Sequence, residues 1–432
     1  MMELLQLFNP TDTVIIQDDI SLTAEEFSNA SYKVAGYVAK NFPDSKVIGV
    51  RSDNSVYGLF LACGAGLAGK HVLPLSTLND GTLNDYAIKN TGCSDFIGYG
   101  TDLDHSDVKN IFNLPDFETD ATPGDYVFLS SGSTGKPKIH LNNLLQWDEG
   151  VPQARADLYF SKSITKSNKA FYAAPVMTGI GSYLAFMNIG LVPVYTAGPP
   201  ATEAMLHLID KYEIEASTGR PALLDRFAMY GVTDFGGVKT LISAGDFLTE
   251  DNIKFVTEKM NIQNIIDCYN CSETGIIGVR EALTEDEFTL MDDVVISDVT
   301  DLDFEVKSMS TAGMIIDSEV VRMSTKRVDD IVELNGNKLR LVGRSVKKVK
   351  VNGFSVSPSI IATAALQIAE INDCIVKVDT EKIDSSNVIV LNYTGEKCDD
   401  AYILENLKKR LPSYSLPKKI NYVPVDSWGV IK

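Results

Sequence analysis

The sequence has little positive charge. Its 432 residues carry 39 Lys and Arg against 58 Asp and Glu, which gives a formal net charge of −19. Nucleic acids and anionic membranes both attract basic patches, so neither is expected as the main partner. A site for an anionic ligand must therefore be a local cluster of basic groups in an acidic protein.

The sequence also lacks an apolar run long enough to cross a membrane. Its most apolar stretch, 57–75, contains four glycines, Lys70 and His71. It is interpreted as a buried helix followed by a strand. The N-terminus has no basic segment and no long apolar core, so no signal peptide is expected. These features predict a cytoplasmic protein without a membrane span.

Cysteines are few, and they are scattered. Of the six, only Cys268 and Cys271 form a C-x-x-C, and no second pair or suitably spaced histidines accompany them. A zinc or redox site is the less favoured interpretation. Two core or pocket thiols in a reduced cytoplasm are the favoured one.

Strand-like and helical runs alternate through the first two-thirds of the chain. Repeated β-α-β units of this kind predict parallel sheets flanked by helices. The strand-like runs are Lys46–Arg51, His71–Leu75, Asp95–Gly98, Tyr126–Leu129, Ala170–Pro175, Val192–Tyr195, Ile214–Thr218, Thr240–Ser243 and Ile265–Cys268. The helical runs are Ser55–Gly69, Asp80–Lys89, Gly181–Ile189, Thr202–Tyr212, Pro221–Met229 and Glu250–Met260.

The pattern changes near Asp292 to short β-rich runs, which are interpreted as an antiparallel, barrel-like unit. After Gly343-Arg344 a basic turn leads into an α+β segment. The β-rich runs are Gly313–Ile316, Val320–Met323, Ile331–Leu334 and Lys338–Val342.

One loop has the composition of an anion site. It follows the apolar run Tyr126–Leu129, and its glycines, hydroxyls and lysines suit the phosphates of a nucleotide. Only two residues separate its glycines, so it is not the P-loop of kinases and GTPases, which needs four. A polar surface turn is the alternative. The loop consists of Ser130, Ser131, Gly132, Ser133, Thr134, Gly135, Lys136, Pro137 and Lys138.

This loop resembles the phosphate-binding signature of the adenylate-forming superfamily, which includes acyl-CoA synthetases, adenylation domains of peptide synthetases and luciferases. Segments 48–55 and 67–75 are similar to two further blocks, so the resemblance covers nearly the whole chain. Members make an acyl-AMP from a carboxylate and ATP, and usually pass the acyl group to a thiol. The resemblance implies that Thr134, Lys136 and their neighbours bind the phosphates of ATP.

A second motif, 267–274, resembles the family's Tyr-Gly-x-Thr-Glu block, with Asn270 in place of Gly and Ser272 in place of Thr. The ring of Tyr269 can stack on adenine, and the hydroxyl of Ser272 can bind the α-phosphate. Glu273 is a suitable Mg²⁺ ligand, because Mg²⁺ prefers one or two carboxylates plus phosphates. An ordinary strand end with a capping Ser-x-Glu is the alternative.

The third motif, 328–344, resembles the family's T-G-D…G-R segment. The resemblance places Asp330 on the aspartate that accepts both ribose hydroxyls, and Arg344 on an arginine that meets the ribose and phosphates. A hairpin with Asn335-Gly336 at its tip is the alternative, and both interpretations can hold together.

A fourth motif, 347–358, resembles the loop that lines the thiol tunnel for the second half-reaction. Lys350 and Gly353 match it, which implies an acceptor thiol on CoA or on the phosphopantetheine of a carrier protein. A basic β-hairpin on the surface is the alternative.

The last motif departs from the family. The catalytic lysine, which neutralises charge in the transition state, would fall on Val430, whereas Lys432 follows two residues later. In an extended strand Lys432 would point the same way, about 7 Å further along. Lys432 therefore either substitutes for this lysine, or the lysine is absent. With Lys432, the resemblance gives Thr134 and Glu273 catalytic roles.

The residues expected around the acid are mostly small or apolar. The stretch 171–176 lacks the aspartate that holds an α-amino group in peptide-synthetase domains, so a fatty or aryl acid is favoured over an α-amino acid. Asp246 could meet a distal amine or hydroxyl, although a solvated loop aspartate is favoured. The expected pocket consists of Met177, Thr178, Gly179, Ala244, Gly245, Asp246 and Ile276.

Pattern and resemblance together imply an α/β fold. A large N-terminal AMP-binding domain (1–343), with two doubly wound β-α subdomains and a small β-barrel, would precede a small mobile α+β domain (344–432). The function implied is ATP- and Mg²⁺-dependent activation of a small carboxylic acid, followed by transfer to a thiol. A degenerate homologue that binds nucleotide or acyl-AMP without efficient adenylation, as a partner or sensor, is the alternative.

Overall fold

The chain folds into a mixed α/β architecture built on two large sheets. The structure is a computed structural model. It describes residues 2–52, 55–76, 81–103, 111–130, 138–165, 167–173, 176–196, 202–219, 224, 235–245, 248–271, 274–300, 303–344, 349–351, 354–356, 358–380, 387–411 and 413–424.

Helices occur in both halves of the described chain. They are α1 (Ala24–Asn41), α2 (Val56–Leu67), α3 (Gly81–Thr91), α4 (Val151–Lys162), α5 (Val176–Asn188), α6 (Thr202–Lys211), α7 (Glu250–Lys259), α8 (Pro358–Leu366) and α9 (Asp400–Lys408). Short 3-10 turns lie at Glu3–Leu5 and Ser413–Ser415.

The strands of the N-terminal part, in chain order, are β1 (Thr13–Gln17), β2 (Ile20–Thr23), β3 (Val47–Ser52), β4 (His71–Ser76), β5 (Asp95–Gly98), β6 (Tyr126–Ser130), β7 (Lys138–Asn142), β8 (Lys169–Phe171), β9 (Val192–Tyr195), β10 (Ala216–Thr218), β11 (Thr240–Ala244), β12 (Asn264–Cys271), β13 (Gly275–Glu281) and β14 (Phe288–Leu290). The later strands are β15 (Val295–Ser297), β16 (Phe304–Lys307), β17 (Thr311–Ile316), β18 (Glu319–Arg322), β19 (Lys326–Val328), β20 (Asp330–Asn335), β21 (Lys338–Arg344), β22 (Val349–Val351), β23 (Phe354–Val356), β24 (Ile371–Thr380), β25 (Asn387–Gly395) and β26 (Lys419–Tyr422).

The larger sheet combines a parallel part and an antiparallel part. Its order is β2-β1-β9-β8-β10-β11-β12-β13-β14-β21-β20. The strands from β1 to β12 in this order are parallel, whereas β13, β14, β21 and β20 continue the sheet antiparallel. The predicted parallel sheet is therefore confirmed, and its last parallel strand is β12.

The second sheet has the order β18-β17-β7-β6-β4-β3-β5. Here β5, β3, β4 and β6 are parallel, and β7, β17 and β18 follow antiparallel. Helix α2 contacts both this sheet and α5. Nearly all of its residues are buried, as expected for stretch 57–75. No described helix combines the length and apolar character needed to cross a membrane.

Helices α1 and α2 pack unusually close together. A Cβ at Gly64 would lie 2.5 Å from the Val34 side chain, so only glycine fits this crossing. The rings of Phe27 and Phe60 meet edge to face, 6.0 Å apart. Helix α1 begins with a capping box, in which Thr23 and Glu26 satisfy each other's backbone N–H groups.

The four β-rich runs predicted after Asp292 are strands, but they divide between the two large sheets. β17 and β18 extend the second sheet, and the hairpin β20–β21 extends the first. A separate small sheet is formed instead by β15, β16 and β19. The β-rich region is therefore not one self-contained unit, because its hairpins pair with the edges of both sheets.

The residues after 348 include strands and helices with their own hydrophobic cluster. β24, β25 and β26 form a three-stranded sheet, and β22 pairs with β23. The cluster includes Ile361, Leu391, Ile403 and Leu407, all of which are buried. This arrangement has the predicted α+β character; the boundary at 343/344 stays a prediction.

Most predicted elements match the structure to within a few residues, with two differences that bear on the site. Helix α5 begins at Val176 rather than Gly181, and β12 runs on to Cys271 rather than ending at Cys268. Both elements therefore include residues predicted to bind ligand. The predicted helix Pro221–Met229 lies almost entirely outside the described residues.

A buried ion pair joins α4 to the segment after β14. The Arg155 guanidinium donates to both carboxylate oxygens of Asp293 at 2.7 and 2.6 Å. The two side chains are only 2% and 3% exposed. Arg155 also lies over the Trp147 ring, 4.5 Å from its centroid, and Asp293 accepts the Met309 N–H.

Because removal of one partner leaves a buried charge without compensation, Arg155→Ala should lower the free energy of unfolding by about 3–5 kcal/mol. Urea denaturation followed by circular dichroism measures this. Lys239→Ala is the matched control, since the Lys239–Glu215 pair is equally short, at 2.6 Å, but its side chains are 48% and 36% exposed. It should cost at most about 1 kcal/mol. Equal losses in the two variants would contradict the assignment.

Candidate active site

The candidate site lies where the parallel strands of the larger sheet end. Ligands of α/β sheets bind at this carboxyl edge. Two hydrogen bonds link neighbouring strand ends there. Ala173, after β8, donates its N–H to the Thr218 hydroxyl on β10 at 3.0 Å. Gly245, after β11, donates its N–H to the Asn270 side-chain oxygen on β12, also at 3.0 Å.

Three predicted residues meet at the ends of β11 and β12. Gly245 has φ +91°, a conformation that favours glycine. Asn270 pairs in register with Ile276 on β13 and Tyr269 pairs with Gly278, so the register shifts between the two residues. Irregularities of this kind, which include β-bulges, are common next to active sites. Asn270 thus helps to hold the Gly245 turn.

Tyr269 and Asp330, which belong to different motifs, are in direct contact. The Tyr269 hydroxyl donates to Asp330 Oδ2 at 2.6 Å. Both residues are nearly buried, at 8% and 6% exposed. A second register shift lies just after Asp330, between Ile331 and Val332.

This contact requires the antiparallel part of the sheet to curl. Tyr269 lies on β12, and Asp330 on β20, four strand intervals away in the sheet order. In a flat sheet these strands would be about 19 Å apart, beyond the reach of the two side chains. The sheet therefore bends until its last strand returns to β12. The curled part consists of β13, β14, β21 and β20, so it includes only two of the four strands predicted to form a barrel-like unit.

The predicted hairpin of the third motif is present. Asn335 pairs with Lys338 around Gly336, whose φ is +62°. At the open end of the hairpin Asp330 pairs in register with Arg344. The hairpin interpretation is confirmed, and it places the two predicted ribose residues opposite each other.

The strands of the predicted phosphate loop form a hairpin in the second sheet. Ser130 at the end of β6 pairs with Lys138 at the start of β7, and Lys138 is exposed. β6 also packs closely against α5 at Gly181. A Cβ at this position would lie only 2.9 Å from the Phe128 ring. Helix α5 thus lies beside the strand that leads to the loop.

Two residues without a predicted role, Phe288 and Arg280, stabilise the position of the Tyr269 ring. The Phe288 ring packs against the Tyr269 ring with centroids 5.6 Å apart. Arg280 lies over Phe288, 4.7 Å from its centroid, and donates to Asp267 Oδ2 at 2.9 and 3.0 Å. Burial raises the pKa of the Asp267 carboxyl, while Arg280 opposes that rise.

Gly278 makes this packing possible. It pairs with Tyr269 across β12 and β13. A Cβ there would lie 2.8 Å from the Thr289 carbonyl oxygen and 3.3 Å from Phe288 Cβ. A glycine inside a strand often marks such a close approach, and Gly278 is the sequence signal for it here.

The cysteines of the C-x-x-C differ in environment. Cys268 is buried, and burial raises the pKa of its thiol well above the usual range. Cys271 is partly buried, with its sulfur 2.9 Å from the Thr274 hydroxyl oxygen. Within the described residues no group of three or more His, Cys, Asp or Glu side chains could hold a metal ion.

The sequence profile of the AMP-binding enzyme family matches residues 8–299. The chain belongs to the AMP-binding enzyme family. This membership confirms the resemblance to the adenylate-forming superfamily and the enzyme class predicted from it, an adenylate-forming ligase. No curated protein matches the chain in a search by sequence.

Solved structures with the same fold cover almost the whole chain. O-succinylbenzoate coenzyme A synthetase from Bacillus subtilis in complex with AMP has a TM-score of 0.74 and 15% identity, covering 98% of this chain and 95% of its own. The same enzyme in complex with ATP and a magnesium ion gives the same four values. ATP-bound MatB from Rhodopseudomonas palustris has a TM-score of 0.72 and 16% identity, with 98% and 95% covered. The predicted α/β fold is confirmed.

In this AMP-binding family member the structure brings together some of the predicted residues. Tyr269, Asn270, Ile276, Gly245 and Asp330 are joined by the contacts described above. Gly179 is buried in the first turn of α5, where Met177 and Thr178 also lie. Ser130, Arg344 and Lys350 are placed by their backbones at strand positions in β6, β21 and β22. The predicted residues outside the described part are Ser131, Gly132, Ser133, Thr134, Gly135, Lys136, Asp246, Ser272, Glu273, Gly353 and Lys432.

Gly278→Ala tests whether the packing behind Tyr269 supports nucleotide binding. The added methyl group has to displace Phe288 or the backbone of β14, which typically costs 1–3 kcal/mol. We expect AMP affinity to fall about tenfold, measured by isothermal titration calorimetry. In Gly237→Ala the nearest atom to the new Cβ is the Ile214 carbonyl oxygen at 3.7 Å, an ordinary contact, so affinity should not change. An unchanged affinity in Gly278→Ala would contradict this role.

Proposed function

We propose that this protein uses ATP to activate a carboxylic acid as an acyl-adenylate and then transfers the acyl group to a thiol. The observation that carries the proposal is the contact between Tyr269 and Asp330 at the carboxyl edge of the sheet. It joins the residues assigned to adenine and ribose in a chain that belongs to the AMP-binding enzyme family.

In this proposal the nucleotide lies across the ends of β11 and β12. The Tyr269 ring stacks on adenine, and Asp330 with Arg344 binds the ribose. The 130–138 loop, with Thr134, Lys136 and Lys138, binds the phosphates. A solved structure with the same fold contains ATP and a magnesium ion. The proposed positions of Tyr269, Asp330, Arg344 and the 130–138 loop are the basis for assigning ATP to the present chain.

Glu273 and Ser272 would lie beside the phosphates. A single carboxylate next to phosphate oxygens is the donor set that Mg²⁺ prefers, so Glu273 fits a magnesium ligand by its chemistry. Bound there, Mg²⁺ would neutralise phosphate charge. Ser272 would donate its hydroxyl to the α-phosphate.

The acid would lie beside the nucleotide, between α5 and the ends of β8, β10 and β11. The described residues at those strand ends are uncharged: Ala173, Thr218, Gly219, Ala244 and Gly245. The rings of Tyr172, Tyr183 and Tyr195 pack behind them, with centroids 4.2 and 5.2 Å apart. These features favour a fatty or aryl acid over an α-amino acid. Met177, Thr178, Gly179, Ile276 and Asp246 complete the proposed pocket.

The acceptor is proposed to be the thiol of CoA or of a carrier-protein phosphopantetheine. Lys350 on β22 and Gly353 are the residues assigned to it. The net charge of −19 does not favour docking of an acidic carrier protein, unless a basic patch such as Lys347, Lys348 and Lys350 faces it. A cytoplasmic location is proposed because all six cysteines are free thiols in the structure.

The proposal predicts pyrophosphate release from ATP in the presence of Mg²⁺ and a suitable acid. Incubation with a panel of fatty, aryl and α-amino acids, with and without CoA, measures it. Release should require an acid of the first two classes, and CoA should yield the thioester. ATP binding without turnover on any acid would contradict the proposal and favour the binding-only homologue, which the valine at position 430 also favours.

Lys432→Ala tests whether this residue replaces the usual lysine. If Lys432 neutralises charge in the adenylation transition state, its loss should slow pyrophosphate release roughly 10²-fold or more. Reaction of a supplied acyl-adenylate with CoA should be unaffected. Lys418→Ala removes an exposed lysine near the same end of the chain and serves as the control. Unchanged adenylation in Lys432→Ala would exclude Lys432 from the reaction.

A further inference from the structure

The hydroxyl of Tyr269 does something that adenine stacking does not require. It donates a 2.6 Å hydrogen bond to Asp330 Oδ2, across 61 residues of sequence. A phenylalanine would present the same aromatic face to adenine but could not make this bond. The contact therefore concerns the carboxylate, not the base.

The carboxylate of an isolated aspartate rotates easily, because the torsion that carries it has no sharp minima. A carboxylate that binds two vicinal hydroxyls must instead lie in one plane relative to them. A hydrogen bond from a fixed donor to one oxygen removes that rotation. This bond is nearly buried, with Tyr269 8% and Asp330 6% exposed, and a hydrogen bond in such a low-dielectric environment is stronger than one in water.

The donor is itself fixed. The Tyr269 ring packs against Phe288 with an interplanar angle of 46°, and Gly278 lies opposite it on β13. Arg280 covers Phe288, and its guanidinium is held by Asp267. The position of Tyr269 on β12 and the packing of its ring against Phe288 together fix its hydroxyl group.

We propose that Tyr269 is a positioning residue that acts through Asp330, and that this pair sets the preference of the site for ribose over 2′-deoxyribose nucleotides. The proposal rests on the proposed function, in which Asp330 binds the ribose. It gives the tyrosine two separable tasks, one for its ring and one for its hydroxyl.

Tyr269→Phe separates the two tasks, because it removes one oxygen atom and keeps the ring. Affinities for AMP and 2′-deoxy-AMP are measured by calorimetry in the wild type and the variant. We expect the wild type to prefer AMP, and the preference to fall roughly tenfold in the variant, mainly through weaker AMP binding. In an Asp330→Ala background the same substitution should leave the preference unchanged, since the tyrosine acts through the carboxylate.

A merely structural role would lower both affinities together and leave their ratio intact, which overturns the proposal. A tighter AMP complex in Tyr269→Phe would overturn it as well, because the hydroxyl would then compete with the ribose. If the wild type does not bind AMP, the proposed function fails too. Binding with an unchanged ratio removes only the positioning role.

Tyr393→Phe is the matched control. Tyr393 lies in β25, far along the chain from Tyr269, and is also buried. Its hydroxyl makes hydrogen bonds with the backbone of Cys398. Its loss should not alter the nucleotide preference. Phe288→Leu is the second variant, and it decides the matter if Tyr269→Phe does not fold. It keeps the tyrosine hydroxyl but removes the ring behind it, so the preference should again fall, and an unchanged ratio contradicts the proposal.

Discussion

The larger sheet must curl for its site to exist. Its parallel strands end at one edge, but the carboxylate assigned to the ribose lies on the last antiparallel strand. Only curvature brings Asp330 back to Tyr269, and the strand register shifts just after each of these two residues. The residues skipped by these shifts, Ile277 and Val342, lie on the partner strands β13 and β21, within the part of the sheet that curls.

This constraint explains what could be predicted from the sequence. The alternation of strand-like and helical runs, and the place of Tyr269 near the end of one strand and Asp330 at the start of another, follow from local patterns. The contact between Tyr269 and Asp330 does not follow from local patterns, because it depends on the four strand pairings that connect β12 to β20. Phe288 and Arg280 escaped prediction for the same reason. Neither belongs to a motif, and both act through neighbours on an adjacent strand.

The predicted boundaries of helices were wrong where tertiary packing overrode local propensity. Gly179 and Gly181 are poor helix formers, so the sequence places the start of α5 too late. In the structure Gly181 instead provides the space in which the Phe128 ring lies. The β-rich region shows the converse. Its strands are evident from their residues, but no local signal tells which of the two sheets each hairpin joins.

The buried pair of Arg155 and Asp293 has a consequence for the order in which the chain acquires its structure. The two residues are 138 positions apart, and an arginine without its partner is costly to bury. During synthesis, α4 is complete long before Asp293 leaves the ribosome. The face of α4 that carries Arg155 must therefore stay hydrated until the turn that contains Asp293 has been synthesised. Chains that end before Asp293 lack this partner, so α4 should reach its final packing only after Asp293 has been synthesised.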